Sequence, residues 1–298
     1  MTTTTETPTV TASPKGEGGG RFSKWPVYLS VWVIVILWII PALGLYINSL
    51  RDPGDVRESG WWTIVGSVLD PATWTLENYR VVLQEGFGNA FANTLAVTIP
   101  AVVIPVTIAA FAAYAFSWMT FPGRNLLFVI VVGLMVVPLQ MALIPILWIY
   151  TTFDVTGTFP AVWLAHAGFG LPLAIYLLRN YMGSLPASIV ESAKIDGASH
   201  WAIFVRLIIP LSVPVLASFA IFQFLWVWND YLVALVFLGI DPSVRVLTVE
   251  LADLAGRGEG AFSLLPAAAF VTMILPLVVF FSLQRFFVRG LTAGSVKG

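Results

Sequence analysis

The chain has 298 residues, of which 58% are hydrophobic and only 10% are charged. A soluble domain averages about 25% charged residues, so this composition leaves too little polar surface to coat a water-soluble particle and indicates a membrane protein. The sequence contains no cysteine, which excludes disulfide bonds and thiolate metal sites.

The N-terminal segment is rich in threonine, proline and glycine (MTTTTETPTVTASPKGEGGG). Such a composition cannot bury enough apolar surface to offset chain entropy, so we expect a disordered tail over residues 1–24. The apolar segment that follows is too long for the core of a cleavable signal peptide and lacks a clear cleavage site. It therefore predicts a first transmembrane helix at residues 25–49.

Six apolar stretches meet the requirement of roughly 20 residues for a membrane-spanning helix. They are about Val27–Ile47, Thr94–Phe116, Leu126–Tyr150, Phe159–Leu178, Leu207–Leu238 and Leu265–Leu283. The fifth is longer than a bilayer requires, so we expect part of it to project, tilt or break. The sequence thus predicts an all-α protein with six transmembrane helices, an extracytoplasmic loop at 50–90, a core domain at 91–290 and a cytoplasmic tail at 291–298.

The distribution of lysine and arginine predicts the orientation of these spans. With both termini in the cytoplasm, ten cations lie inside: Lys15, Arg21, Lys24, Arg124, Arg179, Lys194, Arg206, Arg285, Arg289 and Lys297. Five lie outside: Arg51, Arg57, Arg80, Arg245 and Arg257. Because positive residues are enriched in cytoplasmic loops, we expect both termini to be cytoplasmic.

The motifs of several enzyme classes are missing. The sequence has no G-x-x-x-x-G-K-[ST] phosphate loop, no H-E-x-x-H and no G-x-S-x-G. Its two histidines, His166 and His200, lie too far apart in the predicted topology to share a metal, and each is better explained by packing or hydrogen bonding. We therefore predict that this chain is not an enzyme and has no catalytic residue, metal site or cofactor of its own.

A few polar side chains fall at membrane depth, where such groups usually face the interior of a bundle. The candidates for a substrate pathway are Gln140, Gln223, Asn229 and Asp230. Asp230 can equally be a hydrogen-bonded packing group. The neighbouring Trp226 and Trp228 either stack on a sugar ring or anchor the chain at the lipid interface.

A polar segment between the fourth and fifth stretches, Glu191–Pro210, reads ESAKIDGASHWAIFVRLIIP. Pro186 suits a helix start, Gly197 suits the left-handed residue that ends a helix, and Ser199 can cap a second helix. Trp201, Phe204 and Ile208 then form an apolar stripe. The pattern predicts a helix, a glycine turn and a helix. By itself it fits a simple connecting hairpin as well as a knob that binds a cytoplasmic partner.

This segment resembles the "EAA" loop of membrane subunits in ATP-binding-cassette (ABC) importers, which reads E-A-A, three residues, G, nine residues, I-x-L-P. The matching positions, with Ser192 replacing the second-position alanine, are Glu191, Ser192, Ala193, Asp196, Gly197, Ala198 and Pro210. Leu76–Thr98, the WNDYLVALVFL run and the terminal RGLTAGSVKG are similar to sugar permeases of the maltose-transporter type. From about residue 76 onward, nearly the whole chain carries the resemblance.

The resemblance implies a type I ABC importer fold in the cytoplasmic (inner) membrane of a prokaryote. It implies a second homologous permease, two ABC ATPase subunits that use ATP and Mg²⁺, an extracytoplasmic sugar-binding protein, a sugar substrate such as an α-glucoside, and no nucleic-acid partner. In that family a coupling loop, here 182–210, docks on the ATPase. The alternative that we retain is a stand-alone secondary carrier or channel for a polar solute.

Overall fold

The computed structural model describes the backbone of residues 24–292 and the side chains of residues 24–284. Residues 1–23 and 293–298 of the two predicted tails lie outside the described residues. The helices are α1 (Trp25–Ser49), α2 (Pro53–Glu58), α3 (Glu77–Val82), α4 (Gly88–Trp118), α5 (Arg124–Leu134), α6 (Leu139–Thr152), α7 (Phe159–Gly183), α8 (Ala187–Ile195), α9 (His200–Ile203), α10 (Ile209–Trp228), α11 (Leu232–Leu238), α12 (Leu247–Gly256) and α13 (Leu265–Thr292). Short 3₁₀ or π turns join several of them, and the described part of the chain contains no strand.

Five helical segments are long and apolar enough to cross a membrane, and a bent pair brings the number to six when it is counted as one span. The prediction of an all-α membrane protein with six spans is therefore confirmed. The third stretch differs from a simple span, because α5 and α6 meet at an angle of 101°. The chain turns through Met135–Pro138, and Pro138 has the extended backbone that ends a helix.

The described residues divide into two compact units, and the boundary falls within α1. The first unit ends at Leu45, and the second begins at Tyr46. Along α1 the apolar side chains are exposed, including Trp25, Trp32 and Trp38. Exposed aromatic and aliphatic side chains on a helix of 25 residues suit contact with lipid.

In the second unit, α4, α7 and α10 form the central bundle. The α4 and α7 helices run parallel, since the Trp163 indole N–H donates to Ala96 O (3.0 Å) at one end and the Ser117 hydroxyl donates to Arg179 O (3.1 Å) at the other. The α10 helix runs antiparallel to both. Fully buried alanines such as Ala113 and Ala174 let the α4 and α7 backbones approach closely.

The bundle therefore has two distinct ends. The α8 end contains the C-termini of α4 and α7, the start of α10, and the α8–α9 hairpin (residues 187–203). The α12 end contains the N-termini of α4 and α7, the end of α10, and the α12 connection (residues 239–264). Apolar packing holds the hairpin at the α8 end, whereas hydrogen bonds and ion pairs hold the connection at the α12 end.

Candidate functional site

The α8–α9 hairpin has the predicted helix–glycine–helix form. The α8 helix begins after Pro186 and ends at Ile195, and Gly197 follows with φ +79°. This left-handed conformation carries little strain only for glycine. Ser199 Oγ then accepts a hydrogen bond from Ala202 N (3.2 Å), which caps α9. Sequence reasoning located both helices and the residue that separates them.

The hairpin exposes most of its EAA-like residues. Glu191, Ser192, Asp196 and Gly197 are exposed, whereas Ala193 and Ala198 are half-buried against the bundle. Three large apolar side chains are also exposed, Ile195 by 86%, Trp201 by 64% and Ile189 by 37%. Such exposure outside the lipid-facing region is costly in water and marks a surface suited to a protein partner.

Buried side chains fix the hairpin to the bundle. Val190, Ile203 and Phe204 are almost completely buried together with residues of α4 and α7. Of the predicted apolar stripe, Phe204 and Ile208 are buried, whereas the Trp201 ring is 64% exposed and packs on Phe204 at 6.1 Å and on Phe111 at 6.2 Å.

One polar contact joins the hairpin to α4. The Tyr114 hydroxyl lies 2.8 Å from His200 Nδ1 and forms a hydrogen bond with it. The Tyr114 ring also packs edge-on against Phe204. His200 is therefore a hydrogen-bonding residue at the base of the hairpin, one of the two roles that we expected for it.

A continuous helix leads from the hairpin into the membrane. It runs 29 residues, from His200 to Trp228, through the π turn Phe204–Ile208 and then α10. At 1.5 Å per residue this 200–228 rod is about 43 Å long. Pro210 lies inside this rod, two residues after the π turn, and such a widened turn can accommodate a residue without an N–H. The rod ends at Asn229, so the predicted break in the fifth stretch is confirmed.

The candidate pathway residues do not form one cluster. Gln140 is exposed in the first turn of α6, after the bend. Asn229 is exposed and its side chain donates to Leu225 O (2.7 Å) within its own helix. Gln223 and Asp230 both lie beside α7, at the end of the rod and near His166. The structure thus brings two of the four candidates to one place.

Gln223 links three helices in the core of the bundle. Its side chain is fully buried and Nε2 donates to Ala101 O and His166 O, both at 3.2 Å. Gly170 makes room for it, because a Cβ there would lie 2.6 Å from Gln223 Oε1. That oxygen and the hydroxyl of nearby Thr98 have no hydrogen-bond partner among the described residues.

Asp230 lies at the break between α10 and α11. Its carboxylate accepts from Val233 N (3.3 Å) and Ala234 N (2.9 Å), and so satisfies the first turn of α11. Its Oδ2 is 3.6 Å from His166 Nε2 on α7. His166 is almost fully buried, with its ring against Trp226 at 4.9 Å. Sequence reasoning did not pair these residues, because nothing in either segment indicates that α7 passes the break.

Trp228 fits neither of the two alternatives given for it. The side chain is fully buried, its indole N–H donates to Thr272 O (2.9 Å), and its ring packs on Phe91 and Phe224. It joins α10 to α13 and α4 instead of contacting lipid or an open pathway. Tryptophan is large and carries one N–H donor, which this position satisfies.

At the α12 end, polar side chains hold the α12 connection on the start of α4. Asn93 Nδ2 donates to Ser243 O and Arg245 O (3.0 Å each), and Asn89 donates to Pro242 O (3.0 Å). Thr94 Oγ1 accepts from Leu247 N (2.9 Å). Sequence reasoning named none of these asparagines, because the ANT segment of α4 carries no signal of its distant acceptors.

An ion-pair network lies beside these hydrogen bonds. Arg245 contacts Glu250 at 3.0 Å, and Arg257 contacts Glu85 at 2.8 Å and Asp253 at 2.9 Å. The hydrogen bonds to Asp253 and Glu85 raise the pKa of the Arg257 guanidinium. Glu85 belongs to the π turn before α4, so the network joins the predicted 50–90 loop to the α12 connection.

Comparisons with known proteins agree with this architecture. The family model described as "Binding-protein-dependent transport system inner membrane component" matches residues 18–293. This chain belongs to that family. It is 55% identical to the osmoprotective compounds uptake permease protein GgtD of Synechocystis, over 93% of each chain. It is 44% identical to the alpha-glucoside transport system permease protein AglG of Rhizobium meliloti, over 92% of this chain and 97% of the other.

The fold also matches a solved importer. A bacterial ABC transporter involved in alginate import superposes with a TM-score of 0.73 and 21% sequence identity, and the match covers 92% of this chain and all of that one. The predicted ABC-importer permease fold is confirmed. Family membership shows that the chain is an inner membrane component of a transport system.

Proposed function

We propose that this chain is one permease subunit of an ATP-driven sugar importer and that it forms half of the translocation pathway. Family membership and the sugar permeases among its relatives support the proposal. We further propose an oligosaccharide of the α-glucoside type as the substrate. The second half of the pathway comes from a homologous permease, and an external binding protein delivers the sugar.

The observation that carries the mechanism is the 200–228 rod. It starts in an exposed hairpin and ends at the break that holds Asp230, next to buried Gln223. A helix is stiff along its axis, so a force on the hairpin moves the break. Closure of two ATPase subunits around bound ATP and Mg²⁺ would displace the hairpin and rotate the rod. The polar groups at Gln223, Asn229 and Asp230 would then separate from α7 and face the sugar.

The EAA-like residues have distinct parts in this proposal. Glu191, Ser192 and Asp196 present polar groups to the ATPase, and Gly197 sets the angle between the two helices. Half-buried Ala193 and Ala198 keep the hairpin close to the bundle. Pro210 follows the π turn, at the point where the hairpin continues into α10. Gln140, at the start of α6, is proposed to line the pathway from the other side of the bend.

The proposed orientation follows the charge distribution. The α8 end carries Arg124, Arg179, Lys194 and Arg206, so it faces the cytoplasm of a prokaryote and meets the ATPases. The α12 end and the 50–90 loop then face the binding protein. ATP is hydrolysed on the partner subunits.

The test is to reconstitute the complete transporter and measure ATPase copurification and ATP-dependent uptake for Gly197→Val and Glu191→Ala. The matched control is Gly157→Val, since Gly157 has φ +77° and equally open surroundings but lies at the α12 end. Each valine adds about 1–3 kcal/mol of backbone strain. We expect Gly197→Val to abolish copurification and uptake, and the control to retain copurification. Uptake without any ATPase would instead favour the stand-alone carrier.

A further inference from the structure

Two arginines border one cavity at the α8 end of the bundle. The cavity, about 290 Å³ in volume, lies between the C-termini of α4 and α7 and the start of α5. The residues that matter for its chemistry are Arg124, Arg179 and Asn180. We call it the arginine cavity. Its lining includes Gly183 and Ser184, just before the α8–α9 hairpin, but not Glu191–Ala198, Gln223 or Asp230.

Neither guanidinium has an acidic partner in the described part of the chain. Arg124 Nη1 donates to Met119 O (3.0 Å), and Arg179 Nη1 donates to Asn180 Oδ1 (3.2 Å). The Arg179 Cζ atom also lies 4.7 Å from the centre of the Phe128 ring, which holds the guanidinium flat. Between Glu85 and Glu191 the sequence contains a single acidic residue, Asp154, and it lies before α7 at the opposite end.

Two half-buried cations without a counter-charge favour an anionic ligand. Each planar guanidinium presents several N–H donors that match the oxygens of a phosphate, and the Asn180 amide group adds two more donors. Arg179 is positioned by its neighbours before a ligand arrives, so little side-chain entropy is lost on binding.

The side chains around the arginine cavity favour the phosphate of a lipid over a free phosphate ion. One helical turn from each arginine, a large side chain is exposed: Leu127 by 48% on α5 and Tyr176 by 37% on α7. The Tyr176 ring stacks on Phe128 at 6.5 Å, so it lies on the side of α7 that faces α5. These side chains continue from the cavity along the membrane-spanning helices, where acyl chains lie. A soluble phosphate would make no use of this apolar surface.

We propose that the arginine cavity binds the phosphate of an anionic phospholipid, with Arg124 and Arg179 on the phosphate and the acyl chains along α5. Basic pockets between transmembrane helices at a membrane face are suited to such headgroups. A lipid bound there ties α5 to the ends of α4 and α7, and thus sets the position of the bent α5–α6 pair. The arginines and Asn180 that would bind the phosphate are not among the proposed pathway residues or the EAA-like residues.

The test measures phosphatidylglycerol binding to the purified full-length chain in detergent, by native mass spectrometry and by titration with a fluorescent phosphatidylglycerol. Loss of one charge-assisted contact pair lowers the affinity roughly tenfold. We therefore expect Arg124→Gln and Arg179→Gln each to weaken binding by about that factor. Arg206→Gln, which changes an exposed arginine at the same end, should leave it unchanged. Phosphatidylcholine should bind equally weakly to all four proteins.

One further variant and one further ligand test the role of the guanidinium and the source of the phosphate. Arg179→Lys keeps the positive charge but loses the planar guanidinium. Its affinity for phosphatidylglycerol should therefore lie between that of the wild type and that of Arg179→Gln. This variant also keeps the test valid in case a glutamine variant folds poorly. Inorganic phosphate alone should bind far more weakly than phosphatidylglycerol. Equal binding of the two would assign the cavity to a small soluble anion and overturn the lipid proposal. Wild-type phosphatidylglycerol affinity in both glutamine variants would overturn it as well.

Discussion

The α8–α9 hairpin and the α12 connection are both links between membrane-spanning helices, yet their contacts differ. The α12 connection directs its polar groups inward, onto Asn93, Thr94 and its own ion pairs. The hairpin directs apolar groups outward, with Ile195 and Trp201 exposed to solvent. Among the described residues, one side-chain hydrogen bond joins it to the bundle, between the Tyr114 hydroxyl and His200 Nδ1. The α12 connection also exposes Ile240 and Phe262, so the hairpin differs mainly in how few polar contacts hold it to the rest of the chain.

The largest expected effect concerns the exposed surface of the hairpin. Replacing Ile195, which is 86% exposed, by glutamate should lower ATPase association and ATP-dependent uptake by roughly a hundredfold, because a charge would be buried at the proposed interface. The apparent Tm of the chain should not change, since the side chain has few contacts. Copurification and a thermal scan of the same preparation measure both quantities.

The control for this change is Leu69→Glu, at a residue that is 93% exposed and outside the α8 end. Copurification with the ATPase should be as for the wild type. Equal losses for Ile195→Glu and Leu69→Glu would mean that the hairpin holds no special surface, and the comparison between the two links would fail.

The next effect in size concerns the α12 connection. Asn93→Leu removes two donors from Ser243 O and Arg245 O and should destabilise the chain by about 2 kcal/mol, because two carbonyl groups lose their partner. Asn229→Leu, at an exposed asparagine with one local hydrogen bond, should change stability by less than about 0.5 kcal/mol. Thermal unfolding followed by tryptophan fluorescence distinguishes the two. Equal shifts would show that the α12 connection does not depend on Asn93.

A smaller effect is expected for the single polar contact of the hairpin. Tyr114→Phe removes the hydroxyl that bonds to His200 and should cost about 1 kcal/mol or less, because Phe204 and the other buried side chains still hold the hairpin. Amide exchange of residues 198–204 should quicken, whereas that of residues 243–250 should not. A loss of stability as large as that for Asn93→Leu would contradict the view that apolar packing attaches the hairpin.

The smallest effect concerns pH. The Ser243 hydroxyl and N–H bond to the Asp241 carboxylate and, with a weaker contribution from Arg245, lower its pKa. A pKa that is lower in the folded state stabilises the fold above the unfolded pKa of about 3.9, and this contribution disappears as pH falls through the lowered value. We compare the apparent Tm at pH 6 and at pH 3, a range that includes the usual aspartate pKa. Between these two pH values the Tm of the wild type should fall slightly more than the Tm of Asp241→Asn. Parallel curves would show that Asp241 contributes nothing.

The spans and the hairpin were predictable because their signals are local. Apolar length identifies each span, and Gly197 with Ser199 identifies the turn. The bend at Pro138 was not predictable from proline alone, since Pro100, Pro105 and Pro214 lie inside helices that continue through them. What decides the bend is how the neighbouring helices satisfy the freed backbone groups, and hydropathy does not record this.

The candidate site was only partly predictable for a related reason. The polar character of Gln223 and Asp230 marked them, but their partners are on other helices: Ala101 and His166 for Gln223, and His166 again for Asp230. Those pairings depend on the parallel course of α4 and α7, which a single sequence does not encode locally. Gln140, equally polar in the sequence, lies away from this group.

Because the 200–228 rod is continuous, its length can serve as a fixed reference distance. Because the helix is unbroken from His200 to Trp228, two spectroscopic labels placed near its ends should keep one separation through every step of transport. A label on the rod paired with one on α13 would report the whole movement. Under the proposed mechanism, the transport cycle would be followed as the rotation of one rigid body, and a change in the rod's own length would reveal melting at the π turn.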